Sequence, residues 1–182
     1  MAGDNLTNFQ DQFNGGNRSH LYEVSLDWPT VVTGIKVPDR FLIRSVNLPP
    51  SQINPIRVPY RGRILKWPGD RVYFPWTFRV LDDQPDSAAA DSFWHGFHEW
   101  SNAINNHASN VSSDNWDDFV ADWTVRQVGY GTEAGESLKE VILRDCWPTS
   151  VGPITMDSNA IDTLVEFTVT VEYSYYTVSG IS

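Results

Sequence analysis

The chain has 182 residues, enough for one well-cored domain over residues 1–182, and 41% hydrophobic against 20% charged residues places it among globular proteins. Thirteen basic against 23 acidic residues leave a net charge of −10, which argues against a protein that grips nucleic acid, because holding phosphates takes Lys and Arg; a surface that touches DNA without holding it stays allowed. Eight Trp, seven Tyr and nine Phe suit a sheet-rich chain, and the single cysteine, Cys146, rules out an intrachain disulfide.

Residues 4–13, DNLTNFQDQF, set Leu6, Phe9 and Phe13 three and four apart, with Asp4 or Asn5 as N-cap and Gly15 and Gly16 as a stop, so a short amphipathic helix is expected. This N-terminus lacks a basic segment followed by an apolar one, and no run approaches 18 apolar residues; neither a signal peptide nor a membrane span is expected, and folding in a cytoplasm is. LYEVS at 21–25 alternates. After Trp28-Pro29, VVTGIKV and RFLIRSVNL are extended in character and end at Pro49-Pro50.

Residues 49–70, PPSQINPIRVPYRGRILKWPGD, hold five prolines together with Arg57, Arg61, Arg63 and Lys66. Proline removes a ladder donor, so a central strand fits here only over short spans, and the expectation is a projecting, basic hairpin or loop used as an interaction arm. In RVYFPWTFRVLDD, Val72, Phe74, Trp76, Phe78 and Val80 share one face of a strand. The period changes in 86–106, where Phe93, Phe97, Trp100 and Ile104 step by four, three and four, and Asp83 or Asp86 caps the start of an expected long helix. NNHASNVSSDNWDDF reads as a polar loop with one helical turn, and ADWTVRQVGY, GTEAGES and LKEVILRDC as strand, turn and strand.

A Trp-Pro-Thr-Ser-Val-Gly corner at 147–152 then leads to the most regular stretch. From Leu164 to Tyr176, Val165, Phe167, Val169, Val171, Tyr173 and Tyr175 alternate with Glu166, Thr168, Thr170, Glu172 and Ser174. That is one strand of about a dozen residues, roughly 40 Å at ~3.3 Å per residue, with a buried and a wet face. So long a strand belongs to a large sheet, whose edges must be protected.

Nothing in the residues asks to be an active site. His95, His98 and Glu99 lie within about one helical turn, but His20 and His107 fall in unpatterned loops and a metal needs three or four ligands. SSDNWDD at 112–118 misses the EF-hand spacing, and GYGTEAGES has glycines without the Lys-Ser/Thr of a phosphate loop. No G-x-S-x-G occurs, and Asp145 and Asp157 stand isolated. No catalytic residue, metal or cofactor is therefore expected. Eight Trp would suit a carbohydrate-binding β-sandwich, yet Trp76, Trp94, Trp100 and Trp123 sit in patterned elements where core packing competes with a sugar platform.

Several landmarks stand in order: GDRVYFPWTFRVLDD at 69–83, the DSFWHGFHEW helix, TVRQ at 124–127, and WPTSVGPITMD at 147–157 followed by VEFTVTVEY. In this order they resemble the tail tube proteins of contractile-tailed bacteriophages. The resemblance implies a mainly β subunit, sandwich or barrel, with a flanking helix, whose strands join a continuous inner β-barrel in a hexameric ring. Rings would stack into a tube, a virion component assembled in the host cytoplasm, that conducts DNA inside a contractile sheath. Its partners would be further copies of itself, sheath, baseplate and terminator proteins, a tape-measure protein and, transiently, DNA, with no membrane. On this reading Glu166, Thr168, Thr170 and Glu172 form an acidic lumen wall, and Arg57, Arg61, Arg63 and Lys66 meet the adjacent ring or the sheath. A baseplate tube-initiation protein and the inner tube of a protein-injection machine share the same expected fold.

Overall fold

The computed structural model describes residues 9, 13, 17–33, 35, 42–82, 92–112, 115–129 and 137–179. Among them nine strands and two helices follow in the order β1 (Tyr22–Ser25), β2 (Ile43–Val46), β3 (Ser51–Tyr60), β4 (Arg63–Tyr73), β5 (Trp76–Leu81), α1 (Phe93–Ile104), α2 (Trp116–Phe119), β6 (Ala121–Val128), β7 (Ser137–Val151), β8 (Glu166–Glu172) and β9 (Tyr175–Val178). Seven strands form one sheet in the order β1-β6-β7-β8-β5-β2, with β9 added beside β7, and β3 pairs with β4 in a separate ribbon. All pairings are antiparallel.

The organising element is β7, 15 residues long. Its first half pairs with β6 and β9, and its second half, Trp147–Val151, pairs with β8. Between the halves Asp145 takes a left-handed φ of 55°, a conformation Asp tolerates better than most residues. Asp122 pins the bend by accepting the Asp145 N–H (3.1 Å) and the Arg144 guanidinium. The bend turns one sheet into two facing halves, an outer one of β1, β6, β9 and the start of β7, and an inner one of β2, β5, β8 and the end of β7.

Between the halves lies an aromatic core centred on Trp123 of β6. Its ring meets Trp76 (6.0 Å) and Phe78 (5.7 Å) from β5 and Phe97 (6.4 Å) and Trp100 (5.5 Å) from α1. Phe167, Val169 and Val171 of β8 complete it, all buried. The three buried indoles also tie loops to the core, because a buried indole N–H needs an acceptor: Trp76 donates to the Asn47 carbonyl (2.5 Å), Trp100 to Phe119 (2.6 Å) and Trp123 to Asp27 (2.9 Å). These indoles are core and not a sugar platform.

Several expectations need correction. The long strand at 164–176 is two strands: β8 spans seven residues, the chain breaks at Tyr173 and Ser174, and β9 resumes. Tyr173 keeps the alternation going because it stays buried past the break, against Tyr73 (5.8 Å) and Tyr176 (6.2 Å). The corner lies at Asp145, and Trp147-Pro148-Thr149-Ser150-Val151 is strand. Among the described residues VVTGIKV holds no strand. Helix α1 starts later than expected and is capped by Ser92, whose hydroxyl accepts the His95 N–H (3.3 Å). The expected N-terminal helix falls outside the described residues except Phe9 and Phe13, whose rings stack at 5.1 Å. The GTEAGES turn lies outside them apart from Ser137, the first residue of β7, as do the expected helix caps Asp83 and Asp86.

Candidate functional site

Two surfaces stand out: the outward face of the inner half-sheet and the β3–β4 ribbon. In β8 the residues buried are Phe167, Val169 and Val171, so Glu166, Thr168, Thr170 and Glu172 are brought together on the opposite face. The β5 register sets Thr77 beside Thr170 and Arg79 beside Thr168, and the Thr77 and Thr170 hydroxyls lie 3.2 Å apart. On β2 a bulge between Ile43 and Ser45 inserts Arg44 on this side, where its Nε lies 3.1 Å from Glu166. Arg79 approaches the other Glu166 oxygen at 3.6 Å. The face expected to be acidic therefore carries two arginines clamped on one of its two glutamates, a hydroxyl- and ion-pair-lined surface.

Both margins of this half-sheet are unpaired among the described residues: β2 bonds only β5, and the second half of β7 bonds only β8. Each margin carries a bulge, at Ile43/Ser45 and at Pro148/Ser150. The end of β7 lies tight on β8. Gly152 donates its N–H to the Thr168 carbonyl (2.7 Å), and a Cβ on Gly152 would stand 2.8 Å from that oxygen. The glycine of the WPTSVG motif is thus needed for this close approach.

The ribbon contains ten residues of β3 and eleven of β4, exposed along nearly all their length. Its two-residue turn has Arg61 at φ 46° and Gly62 at φ 80°, the doubly positive geometry whose twist suits a hairpin. Such a turn is closed by a hydrogen-bonded pair, Tyr60↔Arg63, and bonded and non-bonded pairs then alternate. Pro59↔Ile64 and Pro55↔Pro68 therefore fall on non-bonded pairs, where the missing N–H would have pointed away from the partner strand. This parity explains how a proline-rich segment forms a long regular hairpin without serving as a central strand.

The same register puts Ile56, Val58, Tyr60, Leu65 and Trp67 on one face with Arg63, and Arg57 and Lys66 on the other; Arg61 lies over the Tyr60 ring at 5.4 Å. Tyr60 is 64% and Trp67 63% exposed. The apolar face was missed because the basic residues dominated the reading; the alternation of Ile56, Val58 and Tyr60 was the available signal. At the base, Tyr73 packs on Tyr173 and Tyr176 (5.4 Å), and Arg71 donates to the Ser51 hydroxyl (2.9 Å).

The remaining candidates behave otherwise. His107 is not remote: its ring lies 6.5 Å from His98, which packs on Trp94 at 4.1 Å. Burial, then the charges of His107 and His95, hold His98 below the usual imidazole range. No group of three metal-binding side chains forms among the described residues. Cys146 is fully buried, and burial pushes its thiol far up, so it is not a nucleophile at neutral pH.

The family pattern described as phage tail tube protein matches residues 17–179. The chain belongs to this family. A tail tube protein of Serratia phage KSP90 is 27% identical over 165 residues, covering 87% of this chain and 86% of that one. Tail tube protein gp19 of Enterobacteria phage T4 is 24% identical over 136 residues, covering 75% and 79%. In fold the subunit is similar to a chain of the sheath–tube complex of an extracellular contractile injection system, PVC, in its extended state (TM-score 0.63, 15% identity, 94% and 97% covered). It is also similar to a chain of the anti-feeding prophage baseplate (TM-score 0.61, 9% identity, 93% and 99% covered). The long ribbon and the polar half-sheet are thus features of a tail tube subunit, a structural part of the virion.

Proposed function

We propose that this subunit, without catalysing a reaction, closes into hexameric rings through the two open margins of its inner half-sheet, β2 of one copy pairing with the second half of β7 of the next. The observation that carries the reading is the combination of unpaired margins with a sheet that is apolar on one face and polar on the other. Pairing the margins removes the edges that would otherwise recruit strands at random, and six half-sheets make one closed barrel. The barrel's inner wall is then the face of Arg44, Thr77, Arg79, Glu166, Thr168, Thr170 and Glu172.

Such a wall suits a DNA conduit through charge pairing. Two arginines facing the duplex alone would grip phosphates; paired with Glu166 and balanced by Glu172 on the same face, they leave the wall without net attraction. Rings stack through the ribbon arm into a tube enclosed by a contractile sheath and bounded by baseplate and terminator proteins. A tape-measure protein occupies the lumen before DNA does, and assembly takes place in the host cytoplasm. Electron microscopy of the purified protein tests the reading: rings or tubes with a continuous inner barrel are expected, and a monomer that persists at high concentration refutes it.

A further inference from the structure

The ribbon leaves the inner half-sheet at the end where Trp76 pairs with Val171. At the opposite end, where Leu81 pairs with Glu166, the 153–165 loop and the start of β8 enclose an open groove of about 850 Å³. The two ends are separated by the length of β5, roughly 17 Å at ~3.4 Å per residue. The groove is lined by Met156, Leu164 and Val165, by the carboxylates of Asp157 and Asp162, and by the Arg44–Glu166 ion pair, so the two aspartates leave it acidic. Met156 is 85%, Leu164 68% and the neighbouring Ile161 88% exposed. Apolar side chains so exposed on one short loop mark a surface meant to be covered.

The outer half of the ribbon carries what this groove lacks. Tyr60, Leu65 and Trp67 are exposed apolar surface on one face, and Arg61 in the turn and Arg63 just after it have no carboxylate within ion-pair distance among the described residues. We infer that the ribbon tip of one copy seats in the 153–165 groove of a copy in the next ring, Tyr60 and Trp67 covering Met156 and Leu164 while Arg61 and Arg63 meet Asp157 and Asp162. The occupant is a second copy of this chain because plug and socket match in both charge and apolarity and lie at opposite ends of one sheet. A contact of this kind joins unlike patches head to tail and does not close, so it extends a filament. The acidic rim and basic tip also fix polarity, since tip against tip or groove against groove would oppose like charges.

This inference rests on the tube reading and names the surface that receives the arm. The first test is a double-cysteine variant, Arg63→Cys with Asp162→Cys, treated with a short bismaleimide after assembly. Buried Cys146 stays silent. The expected result is a ladder of covalent oligomers, absent from the control pair Arg63→Cys with Thr77→Cys. The second test is charge reversal. Arg61→Glu with Arg63→Glu, or Asp157→Arg with Asp162→Arg, should raise the concentration needed for elongation at least tenfold and leave single rings, and combining all four reversals should restore tubes. All four positions are on the surface and their local contacts, the Asn159 N–H on Asp157 (2.9 Å) and Arg61 over Tyr60, lie outside the core, so the melting temperature should change little. Tubes that form without the ladder, or groove reversals that elongate like the unaltered protein, overturn the groove assignment and leave the tube reading standing. An unaltered protein that forms neither rings nor tubes overturns both.

Discussion

The β5–β8 pair and the β3–β4 pair are both antiparallel and both in long register, yet they differ in where their free energy comes from. In β5–β8 every second residue is buried, and Phe78, Val80, Phe167, Val169 and Val171 share one core with Trp76 and Trp123. In β3–β4 almost no residue is buried, although the pairing is longer and the apolar residues alternate as well. An isolated two-stranded hairpin is marginal in water. The ribbon holds its shape through its tight turn, its prolines and the Tyr73 anchor at its base. One pair is therefore built to fold the subunit and the other to be covered by a partner.

Changes in the two regions should therefore have opposite effects on folding and on assembly. Phe167→Asp buries a carboxylate beside Phe97 (6.3 Å) with nothing to pair it. The expected cost exceeds about 5 kcal/mol, comparable to the whole stability of a marginal domain, so the variant should show no cooperative melt by circular dichroism. Deleting residues 52–66 removes most of the ribbon and none of the core. Its melting temperature should stay within a few degrees of the unaltered protein while elongation into tubes is lost. A deletion that unfolds the subunit would show that the ribbon contributes to folding after all.

Why one region was legible in the sequence and the other only partly follows from the same contrast. Burial imposes period two on β5 and β8, so their faces could be assigned residue by residue. The ribbon buries nothing, and its apolar alternation was masked by Arg57, Arg63 and Lys66 and by prolines that are forbidden only where an N–H must bond inward. The bend at Asp145 depends on Asp122, 23 positions away, and the His98–His107 contact on how the loop after α1 returns. The Arg44–Glu166–Arg79 cluster joins three strands. Contacts of that range leave no local pattern, which is why Glu166 looked like part of an acidic wall.

That cluster supplies the third prediction. Glu166→Lys puts three cations together on the face assigned to the lumen and removes the carboxylate that links β8 to β5 and, across it, to β2. Because Arg44 and Arg79 are more than half exposed, the loss of subunit stability should be small, about 1 kcal/mol or less. DNA ejection from particles carrying the variant should slow, and more so at low salt. Ejection at the unaltered rate would remove the lumen assignment or its electrostatic role.

A smaller effect should appear with pH. His98 is held below its ordinary value in the fold, chiefly by burial, so the unfolded chain takes up the proton first as pH falls. Stability is then complete above the unfolded value near 6.5, declines below it, and stops declining once the folded histidine is also protonated. Melting curves between pH 7.5 and 5 should show this decline, and His98→Asn should flatten it.

The smallest effect is expected at Thr168, and it separates backbone from side chain on the proposed lumen wall. Thr168 is the third residue of β8, and its carbonyl accepts the Gly152 N–H. Its side chain, on the polar face, forms none of the ion pairs there. Thr168→Ala keeps the carbonyl and gives up only a β-branched side chain in a strand, at a cost of a few tenths of a kcal/mol on the β-propensity scale. Gly152→Ala makes the opposite change, leaving the wall's side chains intact while driving a methyl group to 2.8 Å from that carbonyl oxygen. It should therefore lower the melting temperature measurably and, because Gly152 follows directly on the open margin of β7, weaken ring closure more than Thr168→Ala does. If Thr168→Ala proved the more damaging of the two in melting and in ring formation, the Thr168 side chain and not its main chain would be the element holding this margin in place.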